Sequence, residues 1–465
     1  MIARTVADLR RASRRALLRS VASFAGPAPA AFAACAAPGQ GGASSSVPRA
    51  AGPLTGKLTF WAISAVWGEM SKGVGGQQMA AFRSRNPQLE LEIADVVPGG
   101  PASVEKLHTA AAAGTMPDLY MANRGYAAQL GAEGISRALD PHLRASKALP
   151  RDDLWESHVE DASWKGQQFG VTHSSGVWVL YLNRQLLQEA GLSVDRPPTT
   201  WADLEQVAQR TARVAGGVPE RVGYHPTWGN AGPSLWLVHY RQTGGDFFTK
   251  DWKPAFASDD RAIQVLTWMK GFVDRQGGPQ ALDEFRAQIQ PSGARGGPFA
   301  SNRIAALIDT HTSITDLTAA VPNLAFSVAA LPLPANGKPS GWQGGADLHI
   351  GKESKAPDAA WAVIEHLMAP ENILAFSLAL SRIPARKSVG RSAAYLDKSP
   401  HHKVFTEVVP SSHNVPIMPG NSELAPIIMN VTNDVITGKK GIREALQDAA
   451  QQTTVVVDKW RRYLS

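Results

Sequence analysis

Apolar positions in this chain recur with two different periods, and the order in which the periods alternate predicts the architecture. Lys57-Leu58-Thr59-Phe60-Trp61-Ala62-Ile63 is a β-rich run, and beyond a polar turn containing glycine, residues 77–85 carry helical spacing. Leu89-Glu90-Leu91-Glu92-Ile93 alternates apolar with acidic side chains, as a strand with one wet face does. An Ala-rich helical run then leads into Asp118-Leu119-Tyr120-Met121, which turns at Asn123. Strand and helix in alternation predict a parallel, doubly wound sheet.

The rhythm starts again in mid-chain. Val177-Trp178-Val179-Leu180-Tyr181 is a continuous apolar strand, and the helix over 183–191 is stopped by Gly191. After Pro197-Pro198, Thr200 and Asp203 are spaced as a capping box, and Leu204, Val207, Ala208 and Thr211 share one face of the helix that follows. Ser258-Asp259-Asp260 opens another helix, with Ile263, Leu266 and Phe272 on its buried side. Strands are expected over 303–308 and 325–331, and helices over 357–368 and 442–460. No repeat of fixed period interrupts this pattern, so two α/β lobes are favoured over an α-solenoid.

Composition narrows the function classes. Hydrophobic residues are 44% and charged residues 19% of the 465, ordinary globular usage that disfavours disorder, collagen and coiled coil. The net charge of +7 suggests nucleic acid, but six Arg and one Asp fall in the first 34 residues. The remainder has 41 basic and 39 acidic residues, a net charge of +2 and no footprint for a phosphate polymer. Beyond the leader no apolar run reaches bilayer-spanning length. The single cysteine, Cys35, has no intrachain partner.

The leader contains Ser13-Arg14-Arg15-Ala16-Leu17-Leu18-Arg19, an Ala-rich segment, and Phe32-Ala33-Ala34-Cys35. It resembles a twin-arginine export signal joined to a lipoprotein cleavage site. Residues 1–34 are then removed, Cys35 carries the lipid, and 35–53 form a flexible linker rich in Gly, Ala and Ser. A plain secretory signal cut after Ala33 is the alternative. Either way the body is extracytoplasmic, and it meets the membrane only through an anchor.

Along the body, Met116-Pro117-Asp118-Leu119-Tyr120, Gly166-Gln167-Gln168-Phe169-Gly170-Val171-Thr172 and Leu180-Tyr181-Leu182-Asn183-Arg184-Gln185-Leu186-Leu187 are followed by Pro198-Thr199-Thr200-Trp201-Ala202-Asp203-Leu204. Gly244-Gly245-Asp246-Phe247-Phe248, Arg303-Ile304-Ala305-Ala306-Leu307, Leu331-Pro332-Leu333-Pro334, Gly344-Gly345 and Ser381-Arg382-Ile383-Pro384-Ala385-Arg386 come next. In this order they resemble the extracellular solute-binding proteins of ABC importers, the family that takes up maltose, other oligosaccharides and glycerol phosphodiesters. The resemblance implies a two-lobed periplasmic-binding-protein-like α/β fold of type II with the ligand cleft between the lobes. Lobe 1 is expected over 54–172 and 330–370 and lobe 2 over 173–329 and 371–465, with crossings near Thr172, Ala329 and Pro370. It implies a small-molecule solute, most simply a sugar, and the transmembrane permease subunits as partners, for a monomer without cofactor.

The candidate ligand-binding residues follow from chemistry and place. Thirteen Trp against seven Tyr is an unusual balance, and flat indole faces suit the C–H faces of sugar rings. Trp67, Trp228, Trp236 and Trp342 stand beside glycines and polar residues, whereas Trp178 and Trp361 lie in apolar runs and read as core. Ser64 with Trp67, and Asn123 with Arg124, follow strands, where ligands of open α/β sheets collect. Ser174 stands at the first crossing, and Gly344 and Gly345 can present bare backbone amides. The resemblance adds His311, where relatives often carry a stacking aromatic, and Arg382 and Arg386.

No nucleophile elbow, HExxH motif, phosphate-binding loop or cysteine pair for zinc is present, so no catalytic or metal residue is expected. Two alternatives stay open: a secreted glycoside hydrolase or lyase with a carboxylate pair made by folding, and a binder of an anionic solute such as a glycerol phosphodiester. The mature N-terminus is expected to be lipid-modified Cys35, and mass spectrometry of the exported protein checks this. An unmodified Cys35 thiol contradicts it.

Overall fold

In the computed structural model, residues 53–63, 70–100, 102–230, 232–290, 296–414 and 416–465 are described; the leader, Cys35 and the candidates Ser64 and Trp67 lie outside them. Strand β1 (Gly56–Ile63) buries Leu58, Phe60 and Ala62 on one face, and it pairs in parallel with β2 (Leu89–Val97) and β3 (Leu119–Asn123). A short hairpin, β4 (Ser163–Trp164) with β5 (Gln167–Gln168), precedes the long β6 (Val171–Asn183), which is buried along its whole length. Then come β7 (Arg213–Ala215), β8 (Val218–Tyr224), β9 (Ile304–Thr310), β10 (Phe326–Ala329), β11 (Gly341–Ile350) and β12 (Ser412–His413).

The strands form one ten-stranded sheet in the order β2-β1-β3-β11-β6-β9-β8-β7, with β10 added to β6 and β12 to β11. The expected βα rhythm holds in each half, but the sheet is mixed rather than parallel. The strand returning from the second half, β11, inserts antiparallel to both β3 and β6. Both long strands serve two halves: β6 pairs through Val171 with Leu348 at one end and through Leu182 with Ala306 at the other.

Two large apolar cores mark the two lobes of this α/β fold. The first gathers Leu58, Phe60, Leu119, Val171, Leu348, Trp361 and Ile364. The second gathers Leu180, Tyr224, Trp236, Leu266, Phe272, Ile308, Leu424 and Trp460. The expected helices supply both: Pro357–Leu367 buries Trp361 and Ile364, and Ile442–Leu464 buries Leu446, Val457 and Trp460. Helix Trp201–Thr211 starts with the capping box of Thr200 and Asp203. The expected lobe boundary at 370 is displaced. Helix Pro370–Ala379 sends Ile373 and Phe376 into the first core, as do Ala385 and Val389, and the second core resumes with Phe405 and Val409.

Where β6 and β11 run together, Gly344 faces Gly176 and Gly345 faces Ser175. Gly345 has φ +138°, and a Cβ there would lie 1.8 Å from the Ser174 carbonyl oxygen. Only glycine satisfies both conditions. Gly345→Ala is therefore expected to cost about 3 kcal/mol or more, read as a lowered guanidinium midpoint. An unchanged midpoint contradicts this close approach.

Candidate functional site

The strand pair that joins the lobes also builds the wall of a pocket of about 360 Å³. Trp178 on β6 and Trp342 on β11 stack with centroids 4.6 Å apart and planes 18° from parallel. Glycine makes the room, because a Cβ on Gly344 would lie 2.2 Å from the Trp342 ring. Trp178 packs into the second core while lining the pocket, and its indole nitrogen has no protein partner. Across the pocket stand Tyr126, whose phenol burial pushes up to about 12, and Met429 of helix Asn421–Ile436.

The floor is polar. Asn123, at the end of β3, accepts from Gly100 N–H at 2.7 Å. The Arg124 N–H donates to the Gly345 carbonyl at 3.1 Å, so this turn is fixed to β11. The buried Arg124 guanidinium donates to Asp161 at 2.8 Å and lies 4.0 Å from Asp347. Longer contacts, each 3.4 Å, reach the Ser175 hydroxyl and the Ser157 carbonyl. The same Asp161 oxygen accepts from the Gln343 amide at 3.1 Å and from Asn414 N–H at 3.0 Å. Asn414 in turn donates to the carbonyls of Arg124 and Gln343, and Asn421 donates to that of Gly125 at 2.8 Å. The Asn421 amide oxygen is buried without a partner. Thus β6, β11 and the segment after β12 meet at one buried cluster.

This geometry offers two stacked apolar plates beside several uncharged hydrogen-bonding groups, the inventory a polar organic solute needs. It offers no carboxylate, since among the described residues no Asp or Glu lines the pocket. Nor do they contain a group of three or more His, Cys, Asp or Glu arranged to hold a metal ion. No helix among them is long and apolar enough to cross a membrane.

Over residues 77–404 the sequence matches the family described as bacterial extracellular solute-binding protein. The chain belongs to this family. A putative binding protein of Brucella abortus (strain 2308) is 22% identical over 381 residues, 82% of this chain and 88% of that one. The sugar-binding protein MalE from Xanthomonas citri superposes with a TM-score of 0.75 at 22% identity, covering 88% of this chain and 98% of that chain. UgpB from Mycobacterium tuberculosis, in complex with glycerophosphocholine, superposes with a TM-score of 0.69 at 20% identity, covering 87% and 99%. These likenesses confirm the two-lobed fold.

In this solute-binding protein the sequence candidates separate. Asn123, Arg124, Trp342, Gly344 and Gly345 line the pocket together. Ser174 is buried in β6 with its carbonyl under Gly345. His311 is buried over Gly176, and burial holds its imidazole down at about 3; its neighbour Thr310, not the ring, reaches the pocket. Trp236 is core, its indole donating to the Ile428 carbonyl at 2.8 Å. Trp228 lies in a separate groove, its ring 4.3 Å from His225. Arg382 is buried in the turn after helix Pro370–Ala379, its N–H on the Ser377 carbonyl. Arg386 is a staple within the first lobe, bound to Asp153 at 2.7 Å and to the Ala148 and Met368 carbonyls.

Sequence reasoning missed Trp178, Tyr126, Asn230, Ser234, Thr310, Asn414 and Asn421, all of which line the pocket. Trp178 was hidden because its strand is apolar throughout. Asn414 and Asn421 sit in an irregular stretch where no periodicity marks one polar residue above another. The polar loop beside Gly229 and Gly232 was the one readable signal for Asn230.

Asp347 gives this cluster a pH dependence. It accepts from the Thr172 hydroxyl at 2.8 Å, its other oxygen has no partner, and burial raises its pKa to about 6 against the opposing pull of Arg124. The folded state therefore holds this proton more tightly than the unfolded chain. The stabilisation it gives is full below about pH 4 and is lost as pH rises to about 6. Relative to the wild type, Asp347→Asn should gain about 3 kcal/mol between pH 4 and pH 7 in urea unfolding. A stability difference that does not change with pH would refute the raised value.

Proposed function

We propose that this protein is the extracytoplasmic substrate-binding component of an ABC importer. It captures a neutral carbohydrate, a mono- or oligosaccharide, between its lobes and delivers it to the permease subunits. The observation that carries the reading is the stacked Trp178–Trp342 pair beside a pocket floor of Asn, Ser and Thr side chains. Sugars present apolar C–H faces to indoles, and hydroxyls that both donate and accept. The X. citri relative, described as sugar-binding, supports the class.

Ligand contacts from both lobes favour the shut state, so capture is a hinge closure. The crossing strands and the buried cluster are where that motion is hinged. The protein binds without turning its ligand over, as a monomer held to the membrane through lipid on Cys35.

A second reading, an anionic solute, is suggested by the glycerophosphocholine-bound relative. Arg124 is the one cationic residue lining the pocket among the described residues, and it is already ion-paired, which favours the neutral class.

Titration calorimetry with maltose and mannotriose tests the reading. At least one should bind with one-to-one stoichiometry and be recovered intact. Trp342→Ala and Trp178→Ala should each weaken it by about 30-fold, or about 2 kcal/mol. Unchanged affinity in both variants would place the ligand elsewhere.

A further inference from the structure

A second groove, of about 440 Å³, holds Trp228, and it adjoins the first pocket: Asn230 and Gly232 line both. Helix Asn421–Ile436 borders both as well. Ala425 and Met429 line the first, and Asn433, one turn and about 6 Å further along the axis, lines the second. The divide between them is low. Gly232 has φ +49°, and a Cβ built there would meet nothing within 4 Å, so the chain leaves open space where the two grooves meet.

The second groove carries charged groups that no protein partner occupies. Arg286, on helix Gly278–Ile289, is half-buried, and its guanidinium lies 5.9 Å from the centroid of the Trp228 ring. Among the described residues it makes no hydrogen bond and no salt bridge, and burial lowers its pKa against the pull of Asp283 alone. Asp283, one turn back on the same helix, is exposed and lines the groove beside it. Unlike the shut-in Arg124, both are open to a solute. The Trp228 ring is packed against His225 and Phe285, with centroids 4.3 and 6.2 Å away, so the contacts the groove offers are polar. His225 is a neutral imidazole, held by burial at about 3, and its Nδ1 accepts from the Thr227 N–H at 3.2 Å. The ring proton is therefore on Nε2, as a donor.

We propose that this groove is a second subsite of the same site, in which Arg286, Asp283 and Asn433 hold the far units of the solute, so that the protein takes a neutral oligosaccharide of more than two units in preference to a mono- or disaccharide. This rests on the reading of the first pocket as a sugar site. A hydroxyl accepts from one group while donating to another, so one sugar unit satisfies Arg286 and Asp283 together. An anion would meet the first and be repelled by the second. A disaccharide lying against Trp178 and Trp342 leaves both charged groups to water, whereas a longer chain that passes Gly232 reaches them.

The test is titration calorimetry on the full chain with maltose, maltotetraose and maltohexaose, and with mannobiose, mannotetraose and mannohexaose. In the series that binds, the tetra- and hexasaccharides should bind at least about tenfold more tightly than the disaccharide, since hydrogen bonds to charged groups contribute at that level. Arg286→Ala, shown folded by its melting curve, should remove that gain and leave the disaccharide unchanged. Asn433→Ala, at an exposed position, should reduce the gain and serves in place of Arg286→Ala should the latter fail to fold. Equal affinity along the wild-type series overturns the inference while the sugar-binding reading stands. Equal losses for short and long chains in Arg286→Ala make the residue a structural one and overturn it too. If no member of either series binds, the reading of the first pocket fails, and the second subsite falls with it.

Discussion

The pairing of β6 with β11 is the constraint under which the rest of the molecule is built. Both strands belong to two cores, so both are buried over most of their length and approach each other closely at the junction. That approach excludes a side chain at Gly345, while Gly176 makes room for the His311 ring and Gly344 for the Trp342 indole. It also leaves polar groups far from water, and these must be satisfied within the protein. Asp161, Gln343, Asn414 and Arg124 bond one another, although Arg124 Nε, Asp161 Oδ1 and Gln343 Oε1 are left without a hydrogen-bond partner. The indoles of Trp178 and Trp342 project from the same strands, so the apolar wall and the polar floor have a common support.

Electrostatics at this junction follow from burial more than from net charge. Arg124 and Asp161 are paired at hydrogen-bond distance, while Asp347 has one good donor and one bare oxygen. An unsatisfied oxygen in a dry site favours the protonated acid, and Arg124 at 4.0 Å only partly opposes it. The neighbouring histidines respond to the same dryness: burial holds His311 and His173 near 3, so both are neutral imidazoles at any ordinary pH. The junction is thus a nearly neutral cluster inside a chain whose formal charge is +7.

Much of the fold was legible because period and punctuation agree. The alternation at Leu89-Glu90-Leu91 gave β2, and the Thr200–Asp203 box gave the start of helix Trp201–Thr211. Less legible was anything decided by long-range pairing. No local pattern shows that β11 runs antiparallel to β3, or that helix Pro370–Ala379 packs with the first lobe. The site divided in the same way. Asn123 and Arg124, singled out by their place after a strand, line the pocket, as do Gly344 and Gly345, singled out by their freedom of backbone. Trp236, by contrast, carries the residue type expected of a ligand contact but spends its indole N–H on Ile428. Residue type cannot distinguish a plate that faces a cleft from one that faces a core.

Asn230 and Ser234 stand in a loop and at a helix start, whereas Thr310, the glycines and the buried pair stand on or against the sheet. Asn230 is fixed by Asp309 and Ser313. Solute preference in such a layout can drift by exchanging rim residues, one hydroxyl or amide at a time, while the frame stays as it is. A lineage could thereby acquire new nutrients without re-evolving its hinge.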